Sequence, residues 1–121
     1  MSISTLTLAA SLGLALQAAP ATSDVSIRII GHGSLACTFQ TEDGETERSE
    51  RARRSGEFET VRASDVLSAV CRYDVPEGRD LHIRVMEADG FACPFDPEAE
   101  IDDCTATMRG AGEGEFVLER G

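Results

Sequence analysis

The chain has 121 residues, and 22 acidic residues against 11 basic ones give it a formal net charge of −11 at pH 7. This length corresponds to a single domain. The acidity argues against a nucleic-acid partner, because few cations are present to neutralise a run of phosphates. It also disfavours simple electrostatic adsorption to anionic membranes. The totals therefore predict one acidic domain whose partner is not nucleic acid.

The first 23 residues carry no charged side chain, and a segment rich in Leu and Ala runs from 6 to 16. Such a segment is too short to span a bilayer but matches the apolar core of a signal peptide. Ala19-Pro20-Ala21 then provides a small-x-small cleavage site. The sequence predicts a signal peptide over 1–21 and an exported domain over 22–121, periplasmic or extracellular. A buried N-terminal helix is the alternative.

All four cysteines lie in the predicted mature part, which is typical of two disulfides formed in an oxidising compartment. The short span from Cys93 to Cys104 favours a local pair, which leaves Cys37 to pair with Cys71. A zinc site would need two cysteines separated by two to four residues, or nearby histidines, and neither is present. Two disulfides are the prediction.

Alternation of apolar and polar residues predicts short strands separated by turn residues. The stretch 41–56 is polar and mixed in charge, and we interpret it as a polar loop or hairpin arm. The stretch 64–73 fits a helical face and a strand equally well, but the Pro/Gly turn after it favours a strand. The predicted strands are 25–30, 35–40, 57–62, 64–75, 81–85, 104–109 and 115–119.

Seven short strands with no long amphipathic helix are typical of an antiparallel β-sandwich. The strand 57–62 breaks strict alternation, which indicates a β-bulge. The predicted fold class is therefore all-β, a sandwich of about seven strands with two disulfides.

The C-terminal half of the chain carries a more specific pattern. A strand ends in Tyr73-Asp74-Val75-Pro76, and a turn follows. The next strand, which alternates apolar and polar residues around Ile83, leads into the acidic pair Glu87 and Asp89. From about 69 to 118 this order resembles the second half of a C2-type calcium-binding β-sandwich. The resemblance covers about half of the mature chain and implies a C2-like fold with a calcium loop.

The resemblance implies a Ca²⁺ site after the strand 81–85. Ca²⁺ takes six to eight oxygen ligands, and acids two residues apart at a strand exit can turn toward one ion. The early acidic loop of C2 domains has no match here, so a metal-free domain stays open. The predicted ligands are Glu87, Asp89, Asp96, Asp102 and Asp103.

Catalysis has little support, because the two histidines belong to no nucleophile motif and no phosphate-binding loop is present. We expect a binding or structural module rather than an enzyme, with a small hydrolase as a remote third. The alternative to calcium binding is a metal-independent protein-interaction module or protease inhibitor that presents the loop 93–104. Phe91 and Phe95 would contact a membrane or an envelope protein, or fold back over the disulfide.

Overall fold

The computed structural model describes residues 21–54, 56–95, 104–110 and 112–121, which form β-strands and turns and include no helix. In this part of the chain there is accordingly no helix that could cross a membrane. The prediction of an all-β, antiparallel fold of seven strands with two disulfides is confirmed. The strands are β1 (Ser23–Gly31), β2 (Gly33–Thr41), β3 (Gly44–Ala52), β4 (Phe58–Val75), β5 (Asp80–Ala88), β6 (Thr105–Arg109) and β7 (Gly112–Leu118).

Strand pairing joins all seven strands into one sheet in the order β3-β2-β4-β1-β5-β6, with β7 also paired to β4. β4 is 18 residues long. Its first half pairs with β1, and its second half pairs with β2 on one side and β7 on the other. The sheet therefore consists of two groups of strands that share β4. A two-sheet sandwich with C2 topology remains a prediction.

The two strands predicted at 57–62 and 64–75 are one continuous strand, and the helical alternative for 64–73 is wrong. The polar Ser64-Asp65 pair interrupts the alternation in the sequence, but β4 continues through it. The pairing of β4 with β1 shifts register at this point, between Ser23 and Val25 of β1. Asp65 has a positive φ of 55°, and its N–H donates to Asp24 Oδ1 at 3.3 Å. A local distortion thus replaces the predicted break.

The polar stretch 41–56 contains a strand that periodicity did not predict. β3 pairs with β2 along its whole length, from Thr41 opposite Gly44 to Gly33 opposite Ala52. Of its side chains only Ala52 is buried. Main-chain pairing rather than apolar burial holds this strand, which is why the sequence shows no alternation there. The structure has the hairpin arm rather than a polar loop.

One apolar core lies between the inward faces of the strands and includes all four cysteines. Cys37 and Cys71 are direct register partners on β2 and β4, and their disulfide is fully buried. The second disulfide, Cys93–Cys104, joins the end of the segment after β5 to the residue before β6. Both predicted pairings are confirmed, and the second one closes the loop that carries the acidic residues.

Candidate functional site

The structure describes only two of the five predicted calcium ligands. Glu87 lies near the end of β5 with an exposed side chain, opposite Ser26 of β1. Asp89 follows in the turn after β5 and is also exposed. The other three predicted ligands, Asp96, Asp102 and Asp103, lie outside the described residues. Across the described ranges, no group of three or more His, Cys, Asp or Glu side chains could hold a metal ion.

The cation that the structure places at this turn is Arg120. Its guanidinium donates to the main-chain carbonyl of Asp89 at 2.8 Å and to that of Ala21 at 2.9 Å. It also donates to Ser23 Oγ at 3.1 Å and approaches the carbonyl of Val66 at 3.4 Å. An arginine has five N–H donors in a fixed fork, so one side chain can serve several acceptors. Arg120 therefore connects the strand β1, the middle of β4 and the turn after β5.

The same guanidinium lies over the ring of Phe91, 4.1 Å from its centroid. Phe91 is only 7% exposed, and its backbone forms an antiparallel bridge with that of Arg120. The ring is thus covered by a cation and by the C-terminal segment. Two main-chain hydrogen bonds flank the bridge, from Ala92 to Glu119 at 2.9 Å and from Gly121 to Gly90 at 3.1 Å.

The far side of the loop is anchored as well. Phe95 packs edge-to-face on Phe116 of β7, with the ring centroids 4.9 Å apart. Cys104 accepts a main-chain hydrogen bond from Val85 at 2.9 Å and holds Cys93 through the disulfide. Both rings considered for membrane contact have partners within the protein, Phe91 in Arg120 and Phe95 in Phe116. Both ends of the disulfide-closed loop are therefore held by contacts with the rest of the protein.

A groove of about 660 Å³ lies beside Glu87, at the start of β1 and the end of β5. Nothing in the sequence places its carboxylates together, because the β1–β4 register and the β2–β3 turn bring them from separate segments. Two arginines share the groove and oppose part of its negative charge. Its charged residues are Asp24, Asp43, Asp65, Glu87, Arg48 and Arg62.

No feature of the sequence singles out Arg120. It stands next to the last residue with no motif around it, and its acceptors are main-chain atoms, whose positions only the fold determines. Comparison with known proteins adds nothing to the site: no family model, curated protein or solved structure is significantly similar to this chain. The candidate site therefore rests on its own geometry.

Proposed function

We propose that this protein is an exported interaction module that presents the disulfide-closed loop 93–104 to a protein or envelope partner and needs no metal to do so. The observation that carries the proposal is the Arg120 guanidinium, which donates to the carbonyl oxygen of Asp89, in the turn that leads into the loop, and to that of Ala21, before β1. A fixed positive charge there performs the ordering that a bound cation would otherwise supply. The turn that leads into the loop is then held by the chain itself.

The anchoring of both loop ends supports a recognition role. A loop whose ends are held before binding loses less conformational entropy when it meets its partner. The bridge between Phe91 and Arg120 holds one end, and the disulfide with the Phe95–Phe116 contact holds the other. These contacts fix the base and leave the sequence between the cysteines to make the contact with the partner.

The charge of the loop indicates the class of partner. Between Cys93 and Cys104 the sequence has five acidic residues and no basic one. Complementary charge raises association rates and selects against partners of the same sign. We therefore propose a partner protein with a basic surface. Export fits the two disulfides, which persist in oxidising compartments, and it fits the predicted signal peptide, which lies outside the described residues.

Fluorescence anisotropy with a labelled hexalysine peptide tests the loop proposal. Neutralising two loop acids, Glu98→Gln with Glu100→Gln, is expected to weaken peptide binding by about tenfold, since each lost contact is worth about 0.5–1 kcal/mol. The matched control neutralises Glu45 and Glu50 on the exposed strand β3, removes the same charge and should change binding less than twofold. Equal losses in both variants would show that only net charge matters.

Calcium binding through Glu87, Asp89 and the three loop aspartates is the second candidate, favoured by the exposed carboxylates at the exit of β5. Calorimetric titration of chelator-stripped protein with Ca²⁺ separates it from the first. The metal-free proposal expects no binding heat and no rise in melting temperature at millimolar Ca²⁺. A saturable heat that Asp89→Asn with Asp102→Asn abolishes would replace that proposal with the calcium one.

A further inference from the structure

β3 lies at one end of the strand order, and among the strands that the structure describes it pairs with β2 alone. All nine of its residues are register partners of β2. Its other side is therefore a sheet edge, whose main-chain N–H and C=O groups can bind a further strand. We call this side, over residues 44–53, the β3 edge.

The pairing of β2 shows which main-chain groups face the β3 edge. Cys37 and Cys71 are direct partners with their Cα atoms 4.0 Å apart, the short spacing of a pair that shares no main-chain hydrogen bonds. Cys37 therefore directs its N–H and C=O toward β3, where its partner is Arg48. Because these directions alternate along a strand, Glu47 and Ser49 direct theirs to the β3 edge. Consistent with this, the carbonyl of Glu47 accepts a hydrogen bond from the side chain of Arg48 at 3.2 Å.

The charges of β3 are complementary to those of a second, antiparallel copy of β3. When Ser49 stands opposite Ser49 of the second copy, every charged residue of the strand stands opposite a residue of the other sign. This register also matches the residues whose main-chain groups face the edge, so the two strands can form a regular ladder. The opposed pairs, each present twice by symmetry, are Glu45 with Arg53, Glu47 with Arg51, and Arg48 with Glu50.

Other self-pairings of β3 are unfavourable. A shift of one copy by two residues places Arg48 opposite Arg48 in one direction and Glu50 opposite Glu50 in the other, and like charges directly opposite each other are destabilising. A shift by one residue opposes main-chain groups that face the edge with groups that face β2. Charged side chains on an edge strand ordinarily prevent pairing. On β3 they disfavour the neighbouring registers and favour a single one.

The pair of Glu47 with Arg51 has no competing salt bridge among the described residues. The salt bridges there join β4 to β7 and β5 to β6, and both side chains are exposed. Asp74 shares a surface groove with Arg51. It stands two strands away across Ser34, which is about 10 Å at the backbone. Both side chains of the pair are therefore available to a second copy.

The other two pairs have neighbours within the chain. Glu45 accepts a hydrogen bond from Gln40 Nε2 at 2.9 Å. Arg48 lines the groove at the start of β1, which also holds carboxylates, and its bond to the carbonyl of Glu47 would give way to a main-chain bond. The pair of Glu47 with Arg51 is therefore the one that the experiments address.

The net charge of −11 on each copy opposes self-association in general, but the β3 edge is locally balanced. Residues 44–54 include three acidic residues and four of the 11 basic residues of the chain. Charges elsewhere on the two copies are screened beyond about 10 Å at 0.1 M salt. Two copies can therefore meet along this segment with little repulsion.

We propose that the protein forms a symmetric dimer through the β3 edge, in which two antiparallel β3 strands join the sheets of two copies. Main-chain hydrogen bonds hold the strands together, and the pairs of Glu47 with Arg51 set the register. A contact of one strand from each copy is small compared with an obligate interface, so the dimer exchanges with the monomer. β3 and β6 lie at opposite ends of the strand order, and the inference does not depend on the function proposed for the disulfide-closed loop.

Sedimentation equilibrium of the mature protein, 22–121, measures the dimer dissociation constant. We expect Glu47→Arg and Arg51→Glu each to raise it by about tenfold or more, because each change places like charges opposite each other twice in the dimer. The two substitutions together restore the opposite charges and the net charge, so the double variant should come within about threefold of the wild type. The matched control, Glu113→Arg on the exposed start of β7, makes the same charge change and should alter the constant less than about twofold.

Ser49→Pro tests the main-chain pairing. It removes an N–H that faces the β3 edge and leaves the bonds to β2 intact, and proline is tolerated on edge strands in this position. We expect this variant to stay monomeric with an unchanged circular dichroism spectrum, whereas Ser49→Ala should dimerise like the wild type.

A protein that stays monomeric up to about 1 mM would overturn the inference and show that the charges of β3 only protect its edge. A dimer that either single charge reversal leaves intact, or that the double reversal does not restore, would refute the proposed register. A dimer that folded Ser49→Pro protein retains would place the contact elsewhere on the molecule.

Discussion

Replacing Arg120 by alanine should destabilise the whole domain, although the residue stands next to the last position of the chain. The substitution removes the donor to the carbonyls of Asp89 and Ala21 and to Ser23 Oγ. It also uncovers the ring of Phe91, which the guanidinium now covers at 4.1 Å. The turn after β5 then loses its link to β1.

The size of the effect follows from these contacts. Three partly exposed hydrogen bonds contribute about 0.5 kcal/mol each, at the low end of the usual range. The contact between the cation and the ring adds about 0.5–1 kcal/mol. The free energy of unfolding should therefore fall by about 2 kcal/mol, which lowers the melting temperature of a domain of this size by roughly 10 °C.

Urea unfolding with both disulfides intact measures the loss directly. Arg79→Ala is the control, because Arg79 is an exposed residue of the β4–β5 turn whose hydrogen bonds in the structure involve main-chain atoms. We expect faster amide exchange at Ala92 in the Arg120 variant, since its N–H donates to Glu119 beside the bridge. A change within 0.5 kcal/mol of the control, taken as the usual limit for surface substitutions, would refute the reasoning.

Two further predictions concern the disulfides and the packing of β7 against Tyr73. Replacing Cys37 and Cys71 by alanine should cost about 4 kcal/mol and replacing the other pair about 3 kcal/mol, because the sequence separations of 34 and 11 residues restrict the unfolded chain to different extents; urea unfolding that reverses this order would contradict the chain-entropy explanation. Gly114→Ala should cost about 1–3 kcal/mol by overpacking, since an added Cβ would overlap the ring of Tyr73. The same change made in a Tyr73→Ala background should cost at least about 1 kcal/mol less, and additive losses would show that the ring is not the obstacle.

Burial made part of the fold predictable from the sequence. β1, β2 and β5 bury one side chain in two, so their alternation is visible in the residues themselves. Both disulfides were predicted from the spacing of the four cysteines, because pairing the two nearest ones leaves only one other pair. β3 was not predicted as a strand, since eight of its nine residues stay at least partly exposed and its pairing with β2 uses the main chain. Alternation of apolar and polar residues cannot reveal a strand that buries almost none of its side chains.

The candidate site was less predictable than the fold. Glu87 and Asp89 were singled out by their carboxylates, but the structure shows that Asp89 takes part through its main-chain carbonyl. Arg120 donates to main-chain oxygens of three distant segments, and no residue type marks such acceptors.

The shared strand β4 has a consequence for how the domain opens. One group of strands is paired to its first half and the other group to its second half. Neither group can detach without straining the strand that also belongs to its neighbour, so the two groups form one cooperative unit rather than two foldons. Most pairings of β4 also join segments far apart in the sequence, which slows folding. The domain should therefore resist piecemeal unfolding, and a protease would have to wait for the whole sheet to open.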